Sequence, residues 1–293
     1  MAGPGAVFDE MRDEGDELDR LVADLEPARW AAPTPAPGWT VAHQIAHLAW
    51  TDQRALLAAT EAEAFRRETE RYMESGSMDF IDEGAEEGAQ LAPAALLESW
   101  RTGRADLLAA LSAQPGGARL PWYGMPMSAA GMATARIMEM WAHGEDVADA
   151  LGVTRVPTAR LRQVVRIGVR ARDYAYAVHG LEPPGAPFRV ELTAPDGSVW
   201  AHGPEEAAQR VTGEALDFCR LVTQRVHRSD AAVRAEGADA ERWLGIAQSF
   251  AGPPGVGRAA SGRAGTGSGR PDPGPPGAGD APGAGPAAAA GAV

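Results

Sequence analysis

The strongest constraint on this chain is a change of hydrophobic period near residue 185. Before it apolar residues recur at helical spacing, and after it they alternate. Phe8, Met11, Leu18, Leu21, Val22 and Leu25 mark an amphipathic helix over 7–25, stopped by Pro27 and the Pro-rich loop 32–38. Thr40 is placed to cap a second helix over 41–71, rich in Ala, Leu, Glu and Arg. Residues 72–90 read as a long acidic connection, which suits the crossover of a four-helix bundle better than an ordinary turn. Pro93 opens a third helix running to Leu111. Ser128 caps a fourth that Gly152 closes, and a fifth is expected over 158–179. The fold class expected is mainly α: a four-helix bundle with an extra helix over residues 5–180.

The second part differs in kind. Residues 188–192 alternate like a half-buried strand, Pro195–Asp196–Gly197 turns the chain, and Ser198–Val199–Trp200 returns as a second strand. With helices near 214–225 and 238–249, residues 186–251 are expected to form a small α/β domain. From Gly252 to the last residue, Val293, the chain is almost all Gly, Pro, Ala and Ser, and a disordered tail is expected.

Several chemistries are excluded outright. All 27 basic residues are Arg, so no lysine is present for a P-loop, a Schiff base or a pyridoxal phosphate anchor. Cys219 stands alone, which rules out an internal disulfide, a cysteine-rich zinc site and an iron–sulfur cluster. Its apolar neighbours mark it as a core residue. A net charge of -13 argues against nucleic acid as a partner. The acidic amino terminus lacks the pattern of a signal peptide, and no apolar run approaches a membrane span, so a soluble cytoplasmic protein is expected.

Three of the six histidines lie in two short helical stretches. Glu139 and His143 are four residues apart and share one helix face. His47 lies at a matching depth in its own helix, if the two run antiparallel. Two His and one carboxylate form the donor set of catalytic zinc sites that keep a fourth position open. His43 precedes His47 by one turn, so either of them, or both, could serve.

The stretches Gly38–Trp39–Thr40–Val41 with His47–Leu48, and Glu139 with His143–Gly144 and Asp146–Val147–Ala148, resemble the DinB/YfiT-like superfamily. Within it they are similar to the metal-binding domain of the mycothiol-dependent maleylpyruvate isomerase family. Ser249–Phe250–Ala251 and the residues up to Gly255 suggest an actinobacterial subgroup. The resemblance implies a divalent metal, zinc above all, held by His47, Glu139 and His143, with mycothiol as a low-molecular-weight thiol cosubstrate. It leaves open whether His43 is a fourth ligand. An Arg of the second domain matters in the isomerase, and Arg225 is the residue matched to it here. The second domain also bears a likeness to the carboxy-terminal region of tRNA wybutosine-synthesis proteins. Two readings follow: a mycothiol-dependent transferase or isomerase acting on a small molecule, or a non-catalytic metal-binding bundle whose second domain docks a partner.

Overall fold

The structure, a computed structural model, describes residues 5–75, 80–123 and 125–261. The first part holds α1 (Ala6–Val22), α2 (Val41–Thr60), α3 (Ala62–Ser75), α4 (Phe80–Ala89), α5 (Pro93–Ser112), α6 (Ala129–Leu151), α7 (Leu161–Arg170) and α8 (Arg172–Val178). Helices α1, α2, α5 and α6 form the bundle. Its core includes Leu18, Ile45, Leu48, Trp100, Leu107 and Ile137. The start of α2 and both ends of α6 are set as the sequence suggests: Thr40 begins α2, and the Ser128 hydroxyl accepts from the Gly131 N–H at 3.0 Å to begin α6. Gly152 closes α6 at φ 70, a left-handed value that glycine adopts without strain. Gln44 meets His143, His47 meets Glu139 and Asp52 meets Arg136, so α2 and α6 run antiparallel.

Three expected elements differ. The single helix over 41–71 breaks at Glu61, where φ is -136, and α3 turns away to bury Phe65 against Trp122. The acidic connection over 72–90 is largely helical, since α3 extends into it and α4 follows. Residues 76–79 of it lie outside the described residues. The acids of α4 mask a stripe of Phe80, Ile81, Gly84, Ala85 and Gly88. Side chains at the two glycines would collide with the Trp50 ring and the Ala46 methyl, so their smallness lets α4 lie on α2. The helix over 158–179 is interrupted at Ala171, giving α7 and α8.

The second part contains β1 (Phe188–Thr193), β2 (Val199–His202), β3 (Gln209–Glu214), α9 (Ala215–Val222), β4 (Val233–Glu236) and α10 (Ala238–Ile246). The sheet order is β2-β1-β3-β4. β2 returns the chain antiparallel to the start of β1, so β3 runs parallel to β1 without a helical crossover. β1 alternates inward and outward, burying Phe188, Val190 and Leu192 against a core that also takes in Phe218, Cys219 and Trp243. Leu161, Val164, Val165 and Tyr176 join this second core rather than the bundle, so the packing boundary falls before α7, ahead of the change in period.

Helix α6 joins the two parts. Residues 136–148 are buried without interruption, which explains why this helix is apolar on more than one face. Ile137, Met140 and Val147 face the bundle core, whereas Met138, Trp141 and Ala142 face the second core. Beyond α10, residues 252–261 have no regular secondary structure but make specific hydrogen bonds, which corrects the reading of Gly252 as the start of a disordered tail. Residues 262–293 of that expected tail lie outside the described residues. Among the described residues no helix is long and apolar enough to cross a membrane.

Candidate metal centre and cleft

On α6, residues 139, 143 and 146 fall at i, i+4 and i+7 and so share one stripe. The antiparallel α2 sets His47 opposite it. His47, Glu139 and His143 are all buried, and one ligand atom from each lies within 4.8 Å of the others. Glu139 Oε2 is 3.5 Å from His47 Nε2 and 3.3 Å from His143 Nε2. Zinc bonds of about 2.0–2.2 Å at tetrahedral angles separate ligand atoms by about 3.3–3.6 Å, so both edges suit one small cation.

Hydrogen bonding fixes how His143 presents itself. Thr34 donates its hydroxyl to the Trp39 carbonyl at 2.8 Å and accepts from Gln44 Nε2 at 2.9 Å. Gln44 Oε1 is thereby turned to His143 Nδ1, 2.5 Å away, and accepts its proton. The lone pair of a neutral His143 is then on Nε2 and faces Glu139. Burial, reinforced by the neighbouring His47, pushes the His143 imidazole down to about 4. Burial alone would raise the Glu139 carboxyl. The imidazoles of His143 and His47 and the guanidinium of Arg136 outweigh it and hold the group below the usual carboxylate range. The hydrogen bond that holds Glu139 down needs a proton on His143 Nε2, 3.3 Å away, whereas Gln44 draws that proton to Nδ1; a cation between the two groups removes the conflict. The donor set therefore fits a divalent ion, with a net charge of +1 once the carboxylate is counted.

His43 belongs to a different arrangement. Its Nδ1 accepts from the Thr40 backbone N–H at 3.2 Å, and its Nε2 meets Glu86 Oε2 at 2.8 Å. Both nitrogens are thus engaged away from the cluster, capping α2 and tying it to α4. Glu145 also points elsewhere, pairing with Arg220 at 2.8 Å across to the second part. Asp146 is bonded by Arg225 at 2.9 Å and by Arg258. Neither acid orients His143; Gln44 does. Gln44 escapes a sequence reading because an isolated Gln in a helix carries no spacing signal.

His143, Asp146, Trp39, Arg225 and Arg258 line one cleft of about 120 Å³. The Trp39 ring stacks on His143 at 5.9 Å and lies 5.3 Å from His47. Arg225 is thus placed by the fold on the wall beside His143, near the end of α9. Cys219, on α9, is buried in the second core, and burial pushes its thiol well above the usual range, which suits a core residue and not a nucleophile.

A family model described as "Mycothiol maleylpyruvate isomerase N-terminal domain" matches residues 11–148, the span holding all three clustered residues. Two Mycobacterium tuberculosis sequences, "Uncharacterized protein Rv0036c" and "Uncharacterized protein MT0041", are 56% identical over 258 residues. The match covers 88% of this chain and 100% of each relative. The chain belongs to the mycothiol maleylpyruvate isomerase N-terminal domain family. A second model, "Wyosine base formation", matches residues 184–235. Among solved structures, that of the mycothiol-dependent maleylpyruvate isomerase superposes with a TM-score of 0.55 and 17% identity. It covers 80% of this chain and 93% of the other; a point mutant of that isomerase matches equally, at 18% identity. These structures share the fold of this family member across both of its parts.

Proposed function

We propose that this protein is a divalent-metal enzyme, with zinc the best-fitting ion, that uses mycothiol to transfer or isomerise a small molecule. The observation that carries the reading is the buried His47–Glu139–His143 cluster, in which one ligand atom from each residue lies within 4.8 Å of the others. Membership of the mycothiol maleylpyruvate isomerase N-terminal domain family supports the thiol. A divalent ion held by His47, Glu139 and His143 would supply Lewis acidity, which would favour the deprotonated form of a thiol at the site near neutral pH. The rest is the work of the chain. His47 and His143 offer imidazole nitrogens, Glu139 offers the balancing charge, and Gln44 holds the His143 proton on the nitrogen away from the cluster. A thiol nucleophile must come from outside, since Cys219 is buried in the second core.

A cleft with walls from both parts favours this reading over a bundle that merely carries a docking domain. Arg225 reaches the cleft from the second part and His143 from the bundle. Calorimetric titration with mycothiol tests it. Metal-loaded protein is expected to bind the thiol and metal-stripped protein to lose that binding. Equal binding by both forms would contradict a metal-centred thiol site.

A further inference from the structure

Residues 252–261 form a wall of the cleft that neither family match reaches, since those matches end at residues 148 and 235. The segment is anchored at its root by Tyr174, whose hydroxyl donates to the Gly252 carbonyl at 3.0 Å and accepts from its N–H at 2.7 Å. Gln248 holds the next residues, accepting from the Gly255 N–H at 3.3 Å. Ser261 fixes the far end by donating its N–H to Asp230 at 2.6 Å. Between the anchors Val256 is 85% exposed, so apolar burial does not hold the middle. What reaches inward is Arg258, bonded to Asp146 Oδ1.

The charges around that bond do not balance. Asp146, on α6, is the only acidic residue lining the cleft among the described residues, and it is buried. Arg225 takes its Oδ2 at 2.9 Å and Arg258 takes its Oδ1. Two guanidiniums thus share one carboxylate on the cleft wall. Their side chains are only 12% and 19% exposed, so bulk water screens the surplus charge weakly. Arg225 Nε is buried and has no hydrogen-bond partner among the described residues. Guanidinium pairs of this kind recognise planar carboxylates through paired N–H donors.

We propose that residues 252–261 complete the binding site and that Arg258, together with Arg225, seats a carboxylate of the incoming small molecule. The proposal rests on the cleft being the working site and adds a ligand class and a residue to it. Thermal shift of the full-length protein tests it, with malonate as probe and malonamide as its uncharged counterpart. Malonate is expected to stabilise the protein saturably and malonamide to have no effect. Arg258→Gln should weaken the malonate response about tenfold or more, the loss of one charge-assisted contact. Arg258→Lys, which keeps the charge but not the fork, should fall between them. Melting without ligand and metal content are recorded for each variant; the proposal expects both to leave the folded, loaded state intact. A malonate response unchanged in Arg258→Gln, or absent from the unsubstituted protein, overturns the anion seat. Loss of metal-dependent thiol binding with the malonate pattern intact would instead count against the metal reading alone.

Discussion

Replacing Gln44 by Leu removes one acceptor and one donor from a fully buried position while keeping comparable bulk in α2. Its Oε1 takes the His143 Nδ1 proton at 2.5 Å, and its Nε2 donates to Thr34. Thr34 is half-buried, so water can replace its lost donor. His143 is 4% exposed and has no such recourse. Leaving its N–H unsatisfied costs about 1–3 kcal/mol. Partners that orient a metal-binding imidazole are worth about 10–100-fold in metal affinity, or about 1.4–2.7 kcal/mol, which is the same range. Chelator competition with purified protein reads the affinity, and Gln44→Glu is the control, since it keeps the acceptor. The expected order is Gln44→Glu at or above the unsubstituted protein and Gln44→Leu at least tenfold below. Unchanged affinity in Gln44→Leu would refute the argument that this hydrogen bond sets the presented nitrogen.

Asp52→Ala is expected to destabilise the protein by about 3–5 kcal/mol in urea denaturation, because it strands the buried Arg136 guanidinium that donates to Asp52 at 2.8 Å. A change under about 1 kcal/mol would show the pair to be dispensable. Metal-stripped protein should lose stability as pH falls from about 6.5 toward 4, because the unfolded chain takes up a proton that buried His143 refuses until about 4. The depressed Glu139 acts in the same direction, its contribution being lost only as pH falls through its folded value. Equilibrium denaturation across that window checks the sign, and His143→Gln should flatten the slope.

Much of this architecture is legible in the residues because period reports burial. Helices with a defined cap at each end, such as α6 between Ser128 and Gly152, are readable end to end. So are the ligand types of the cluster, since i and i+4 on α6 must converge and the depth of His47 matches. Helix α4 is hidden because, after Phe80 and Ile81, its packed face continues as two glycines and an alanine, which carry little hydrophobic signal, beneath a run of acids. Strands β3 and β4 escape for another reason: β3 holds a single apolar side chain, Val211, and β4 spans only Val233–Glu236, so pairing rather than propensity makes them strands. The role of residues 252–261 is also invisible, as polar ties rather than apolar burial hold them. Gln44 shows the general limit, because a hydrogen-bond relay depends on three dimensions that spacing does not encode.

The central claim is that His47, Glu139 and His143 together hold one divalent ion, and metal stoichiometry after dialysis tests it most directly. The unsubstituted protein is expected to retain about one ion per chain, and His47→Ala, Glu139→Gln and His143→Ala each to lose most of it, as removal of one of three ligands requires. His43→Ala serves as the control and should keep the ion, because its two nitrogens serve Thr40 and Glu86. Full retention in all three cluster variants, or loss confined to His43→Ala, would contradict the assignment.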